Sequence, residues 1–228
     1  MLMAIHGDCM CVAVCLPLQP KISSKRKIMI SIILTLHNQE KSIISALQSL
    51  VAQTVQQWEC IIIDNASTDA SEFQVRSYLF DRRMRYVRLD AEVPLWSARH
   101  KGLELTSGEW IVYMDGADYL KSNALQALYL AVKKYGTLCG ASNYAVMRGG
   151  EPVPNSYRSE GKIQARDVLR GEISVVTGSS IFSRSIAHLP DSWKTLDFAY
   201  TDHLVAIYGE GGAPLIKVER KPWWRRWL

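Results

Sequence analysis

From residue 28 onward, short apolar runs alternate with longer stretches whose apolar residues recur at helical spacing. Ile28–Leu34 is almost wholly apolar, as a strand buried on both faces requires. Behind it, Asn38 is expected to cap a helix, with Glu40 in the first turn where the helix dipole favours negative charge. Ile43, Ile44, Leu47, Leu50 and Val51 supply that helix's apolar stripe. Cys60–Ile63 is the second run, and it ends in the polar loop Asp64–Asp69, whose last members are placed to cap the next helix. Tyr86–Leu89 and Trp110–Met114 read as the third and fourth strands, with helices over 96–106 and 122–135. Right-handed crossovers then demand an α/β fold, a mainly parallel central sheet with helices on both faces.

After residue 136 the pattern loosens. Leu138–Met147 reads as a strand, Arg148–Gly161 as a loop and Gly178–Phe182 as a short strand. A helix is expected over 198–209 and an edge strand over 214–218, with 148–166 a lid-like segment. At 228 residues, 48% of them apolar and 21% charged, one ordinary globular core is the default. No stretch approaches the ~20 uncharged apolar residues of a spanning helix. The segment 1–20 is a poor signal peptide, since Asp8 and Pro17 break its apolar run and no basic segment precedes it. With Met29 opening the first strand, residues 1–28 are read as an N-terminal extension, an over-long start or a loose arm. Within it, Cys9, Cys11, Cys15 and His6 lack the second Cys or His pair of a zinc site. Five cysteines, an odd number, suggest reduced thiols and a cytosolic compartment, with Cys60 and Cys139 inert core thiols.

The net charge of +5 is not spread evenly: residues 21–27 and 217–228 carry +4 each, whereas 28–216 sum to −2. A slightly acidic body with basic ends argues against nucleic-acid binding, which needs a basic stripe on a folded face. The last residues, Lys217–Leu228, hold three tryptophans beside five cations. That composition suits either an anionic membrane surface or a tail folded back on the domain.

Ligands of parallel α/β sheets lie beyond the carboxyl ends of the strands. Two such ends carry carboxylates here, Asp64 and the pair Asp115/Asp118. A carboxylate pair in a turn can hold a divalent cation or ribose hydroxyls, and equally can cap the helix behind it. Other chemistries lack their signatures. The first strand ends in Leu34-Thr35-Leu36-His37-Asn38 rather than a Gly-x-Gly-x-x-Gly turn, there is no Walker loop, and no Gly-x-Ser-x-Gly elbow occurs.

Five segments, in order and at the right spacing, resemble the family 2 glycosyltransferases: Ser31–Glu40; Ser49-Leu50 with Gln53-Thr54; Trp58–Asp69; Ala98–Gly102; and Gly108–Asp118. The resemblance covers roughly residues 28–135. It implies a GT-A fold and transfer of a sugar from a nucleotide-diphosphate donor to a hydroxyl acceptor, with inversion at the anomeric carbon, in cell-surface polysaccharide or glycolipid synthesis. By position, Thr35, His37 and Asp64 would line the base and ribose pocket, Asp64 accepting from the base, with Arg99 near the donor. Asp115 and Asp118 are the outer residues of the family's Asp-x-Asp-Asp turn, which meets ribose, diphosphate and a Mg²⁺ or Mn²⁺ ion. Asp202 is the implied catalytic base at a helix start, with Asp197 its competitor.

The resemblance divides the domain 29–218 into a nucleotide-binding half (29–135) and an acceptor half (136–218), followed by the tail 219–228. The implied partners are a UDP-sugar and a hydroxyl acceptor, lipid-linked if the tail meets a membrane. The implied place is the cytoplasm, at the inner membrane face. Ala117 departs from the acidic residue usual at that position, Glu92-Val93-Pro94 replaces Asn-x-Gly, and Thr201 replaces a Glu. These departures keep a second reading open, a non-catalytic GT-A module that binds sugar or protein.

Overall fold

The computed structural model describes residues 29–154, 159–164, 167, 177–187 and 196–208. The extension 1–28, the expected strand at 214–218 and the basic tail lie outside them.

Strand β1 (Ile30–Leu36) has every residue buried. It pairs in parallel with β2 (Trp58–Asp64) on one side and β4 (Trp110–Asp115) on the other, and β2 pairs in parallel with β3 (Met84–Arg88). Alternate residues of β1 serve opposite layers. Ile30, Ile32, Leu34 and Leu36 pack with α1 (Ile43–Val51), Val75 of α2 (Ser71–Arg76) and α4 (Ala124–Tyr135). Ile33 faces the other layer, where α3 (Leu95–Leu105) and α5 (Arg184–Ala187) lie. This two-sided burial is what the apolar runs foretold.

The second half adds β5 (Tyr119–Leu120), β6 (Cys139–Arg148), β7 (Glu151–Pro154), β8 (Gly161–Ile163), β9 (Ser180–Ser183) and β10 (Phe198–Tyr208). The result is one mixed sheet in the order β3-β2-β1-β4-β9-β6-β10-β5, with β7 on β6 and β8 on β10. Because β9 runs antiparallel to both β4 and β6, and β10 parallel to β6, the strands β1, β2, β4, β6 and β10 all end at one edge.

Three expectations need correction. Residues 198–209 are not a helix: Phe198–Tyr208 is a strand pairing in parallel with Cys139–Val146 of β6. A long partner edge outweighs local spacing, and register shifts between Thr201 and Ala206 disguise the alternation. The loop expected after Met147 is in part a hairpin, since Gly149 (φ 59°) and Gly150 (φ 86°) form a two-residue turn joining β6 to β7. Pro152 and Pro154 are tolerated there because, among the described residues, β7 pairs only with β6.

Finally, Asn38 does not cap α1. It adopts φ 52°, the left-handed conformation Asn tolerates, and α1 starts at Ile43 behind Ser42. The polar residues of the two loops serve each other instead. Asn38 N–H donates to Ser67 Oγ (3.0 Å), Thr68 N–H to Asn38 Oδ1 (2.7 Å) and Gln39 N–H to Ser71 Oγ (2.9 Å). Glu40 N–H donates to Asp69 Oδ2 and Ala70 N–H to Glu40 Oε2, both at 3.0 Å. The N-cap of α2 is Ala70, which makes no side-chain cap bond; Asp69, one residue ahead, accepts from Ser71 N–H through Oδ1 at 3.0 Å.

Helix α3 approaches the sheet at Gly102, where an added Cβ would lie 2.4 Å from Ile33 Cγ2 and 3.3 Å from Ile63 Cγ1. Gly102→Ala is therefore expected to destabilise the domain by about 1–3 kcal/mol through overpacking, lowering the thermal midpoint by about 3–10 °C. Differential scanning calorimetry checks this.

Candidate functional site

The registers Leu36↔Asp64 and Thr35↔Asp115 set the two aspartates on either side of β1 at the carboxyl edge. Two strand spacings separate them, about 10 Å. Residues 51 positions apart in the chain thus meet at one rim.

Asp64 is wholly buried, with 0% exposure. Its Oδ1 accepts from Ser67 N–H (2.8 Å), and its Oδ2 accepts from Tyr86 Oη (2.5 Å) and lies 3.4 Å from Arg88 Nη1. Arg88 also reaches Ser67 O (2.6 Å) and Glu72 Oε2 (3.3 Å), bracing the loop around the carboxylate. Burial first, then the Asp64 carboxylate, pushes the Tyr86 phenol well above its ordinary range. The hydroxyl therefore stays protonated and keeps donating. His37, exposed, donates from Nδ1 to Asn65 O at 2.7 Å, and Asn38 Nδ2 lies 3.2 Å from its Nε2. Thr35 is 2% exposed, with Oγ1 3.5 Å from Met114 O.

At the end of β4 the two turn carboxylates behave differently. Asp118 is 1% exposed; its Oδ2 accepts from Asp115 N–H (3.0 Å) and Thr177 Oγ1 (2.9 Å), closing the turn, while Oδ1 is buried without a partner among the described residues. Burial, and next the charge of Asp115, lift its carboxyl to about 7; its hydrogen bonds and the Arg99 charge pull the other way. Asp115 is half-buried. Its Oδ1 accepts from Gln39 Nε2 and from Ala117 N–H (3.1 Å), and Oδ2 takes no hydrogen bond from the described residues. Arg99, 6% exposed on α3, sits with its guanidinium carbon 6.0 Å from the Tyr113 ring centre, near enough for its charge to act on Asp118. The fold thus gathers Thr35, Arg99, Asp115 and Asp118 around the end of β4, and His37 and Asp64 around the end of β2.

Asp202 stands within β10, of which only the strand position is described for that residue. Ile111, Phe182, Cys139 and Phe198 form one row across β4, β9, β6 and β10, so Asp202 and Asp115, each four residues further on, are level. The register shift after Thr201 begins at this point. Asp197 lies below the row and is ion-paired with Lys162 Nζ at 3.2 Å, at the far end of the strand from the rim. Cys60 and Cys139 are buried, and burial raises both thiols, Cys139 to about 12, as inert core groups require.

Three residues at this rim escaped the sequence reading: Gln39, Tyr86 and Arg88. The last two carried a faint signal, lying two apart on a strand and hence on one face. Gln39 carried none, because its contact spans 76 positions.

The sequence profile of the family described as "Glycosyl transferase family 2" matches residues 31–189. The chain belongs to glycosyl transferase family 2. It is 26% identical to the Streptococcus pneumoniae glycosyltransferase GlyG over 51% of this chain and 39% of that protein. With the Escherichia coli enzyme named UDP-Glc:alpha-D-GlcNAc-diphosphoundecaprenol beta-1,3-glucosyltransferase WfgD it shares 24% identity over 78% of this chain and 73% of WfgD. In structure it resembles S. aureus TarS 1–349, solved with UDP-GlcNAc, at a TM-score of 0.67 and 17% identity, covering 82% of this chain and 60% of that one. The chain spans well under half the length of the pneumococcal relatives GlyG and GlyA. The fold of this family 2 member is the GT-A glycosyltransferase fold.

Members of such a family commonly use a divalent metal, and the rim's donor set fits a hard cation. It is oxygen-only, with Asp115 Oδ2 unengaged among the described residues and Asp118 Oδ1 an orphaned buried oxygen. No three His, Cys, Asp or Glu side chains that could hold a metal ion converge among the described residues.

The Tyr86–Asp64 bond has a direct test. Tyr86→Phe removes a donor from a buried carboxylate and is expected to cost about 1–3 kcal/mol in urea titration, shifting the midpoint at unchanged slope.

Proposed function

We propose that this family 2 chain is an inverting glycosyltransferase that moves a sugar from a uridine-diphosphate donor to a hydroxyl acceptor in cell-surface polysaccharide or glycolipid synthesis. The observation that carries the reading is the placement of Asp64 and Asp115 on either side of β1 at the edge where parallel sheets bind ligands. The uridine preference is supported by the donor in WfgD's name and the UDP-GlcNAc complex of TarS.

In this reading His37 stacks on the base from its exposed position beside Asn65, and Asp64 accepts from the base edge. Asp64 also holds the base-side loop rigid through Ser67 and Tyr86. Thr35 and Asp115 line the ribose and diphosphate. Asp115, with Asp118 behind it, would hold Mg²⁺ or Mn²⁺, which when bound offsets charge on the departing diphosphate. Arg99 adds a fixed positive charge near the same group, in a site sheltered enough for that charge to count. The acceptor hydroxyl attacks the anomeric carbon from the face opposite the diphosphate. Its proton passes to the Asp202 carboxylate as the new C–O bond forms and the old one breaks, which inverts the configuration. The N-terminal half would thus hold the donor and the β6–β10 half the acceptor.

No helix among the described residues is long and apolar enough to cross a membrane. A lipid-linked acceptor at the cytoplasmic face, reached through the Trp-rich tail, completes the proposal. A second reading rests on Ala117: a GT-A module that keeps nucleotide binding without turnover.

Donor hydrolysis and transfer assays with UDP-sugars and Mn²⁺ separate the two. Asp202→Asn is expected to lower turnover at least about 10²-fold while leaving donor affinity within about twofold. Wild-type chain that binds UDP yet turns over no UDP-sugar, or an Asp202→Asn variant as active as wild type, contradicts the catalytic assignment.

A further inference from the structure

Gln39 lies between β1 and α1, and its main chain is held at both ends. Its N–H donates to Ser71 Oγ at 2.9 Å, and its carbonyl accepts from Ser42 and Ile43 N–H at 3.1 and 3.0 Å, in the approach to α1. These ties, with those of Asn38 and Glu40, dock the loop without help from the Gln39 side chain. That side chain turns away from the loop and crosses to the end of β4, where Nε2 donates to Asp115 Oδ1. Its amide lies flat over Gly116: a Cβ added there would be 2.4 Å from Oε1 and 3.3 Å from Cδ. Oε1 itself is buried and has no hydrogen-bond partner among the described residues. One end of the amide is thus committed to the rim's only partly exposed turn carboxylate, and the other end is an empty acceptor beside it.

Two consequences follow from this placement. Oδ1 of Asp115 is occupied twice, by Gln39 and by Ala117 N–H, so the carboxylate cannot rotate without breaking both bonds and presents Oδ2 alone. With Asp118 buried and Ala117 lacking a carboxylate, the turn depends on that one oxygen, and the group that orients it matters more than it would in a turn with three acids. A buried amide oxygen without a partner is also uncommon in folded proteins, where such an acceptor is ordinarily satisfied by protein, water or a bound group.

We propose that Gln39 is a positioning residue of the donor site: its amide fixes Asp115 in the orientation that receives the nucleotide diphosphate, and its orphaned oxygen accepts an O–H from the bound complex. The proposal rests on the donor site argued above and deepens it. Two O–H sources share this chemistry, a ribose hydroxyl of the nucleotide and a water held on the cation.

The experiment is calorimetry of UDP binding, with and without Mn²⁺, on wild type, Gln39→Met and Gln39→Glu, alongside thermal melts. Gln39→Met keeps the side-chain volume and is expected to fold with a near wild-type midpoint while binding UDP with Mn²⁺ about tenfold more weakly, as loss of a hydrogen bond to a charged group implies. If the ribose is the O–H source, 2′- or 3′-deoxy-UDP loses affinity for wild type but not for Gln39→Met. If the cation's water is the source, the gap between the two proteins persists with the deoxy nucleotides and closes when Mn²⁺ is omitted.

Gln39→Glu supplies a readout that a merely structural role would not move. At pH 5.5 the introduced carboxyl, when protonated, donates to Asp115 as the amide does, whereas at pH 8 its charge repels Asp115. The affinity of this variant relative to wild type should therefore fall as pH rises. A ratio that is flat or climbs with pH overturns the proposal. Wild-type affinity in Gln39→Met overturns it while leaving the donor site standing, and so does failure of Gln39→Met to fold, which would make the amide a structural tie. Absence of UDP binding by wild type overturns the donor site itself, and the proposal with it.

Discussion

Strand β1 is covered on both faces and bonded along both edges, so it is the element on which the others depend. Seven consecutive buried residues leave it no solvent-facing side, and two parallel neighbours take all of its ladder hydrogen bonds. Parallel pairing forces the chain to return through helices before each new strand, which covers both faces and aligns the carboxyl ends. The register then fixes which residues share the rim. A slip of one residue in β2 would turn Asp64 from the α1 layer to the opposite one and replace it at the rim with a neighbour. The chemistry proposed for this chain is in that sense a consequence of ladder geometry before it is a consequence of any side chain.

The carboxylates at that rim illustrate how burial assigns roles. Asp64 is fully buried, and the chain surrounds its carboxyl with a backbone N–H, a phenol and a nearby guanidinium. Such groups are costly unless partnered, and breaking one partner exposes that cost. Asp118 is buried with less support, and its raised carboxyl reflects it. Asp115 Oδ2 takes no hydrogen bond from the described residues. Three aspartates of identical chemistry thus acquire different burial and different partners through their neighbours alone.

What could be read from the chain follows the same division. Apolar runs revealed β1, β2 and β4 because a strand buried on both faces is nearly continuous in hydrophobic residues. Asp64 and Asp115 were legible because they sit directly at the ends of those runs. Contacts between distant loops were not. Asn38 and Glu40 have the composition of a helix start, and only the folded chain shows that they bond the loop after β2. The stretch 198–208 has apolar residues that suit a helix or a strand, and the open edge of β6 decided between them. Gly149-Gly150 was a hairpin signal overlooked among nearby prolines. Tyr86, Arg88 and Gln39 act through partners 22, 24 and 76 positions away, a separation local pattern does not encode.

The central claim is that the donor occupies the carboxyl rim of β1, β2 and β4. Its most direct test is paramagnetic broadening of backbone amide signals in ¹⁵N-labelled chain on adding UDP with Mn²⁺, against UDP with Mg²⁺. The account predicts selective loss of signals from residues 35–39, 64–68 and 115–118, with Gly108 and Glu59 at the opposite edge of the sheet unaffected. Broadening centred on Glu59 and Gly108, or none anywhere at saturating UDP, would contradict it.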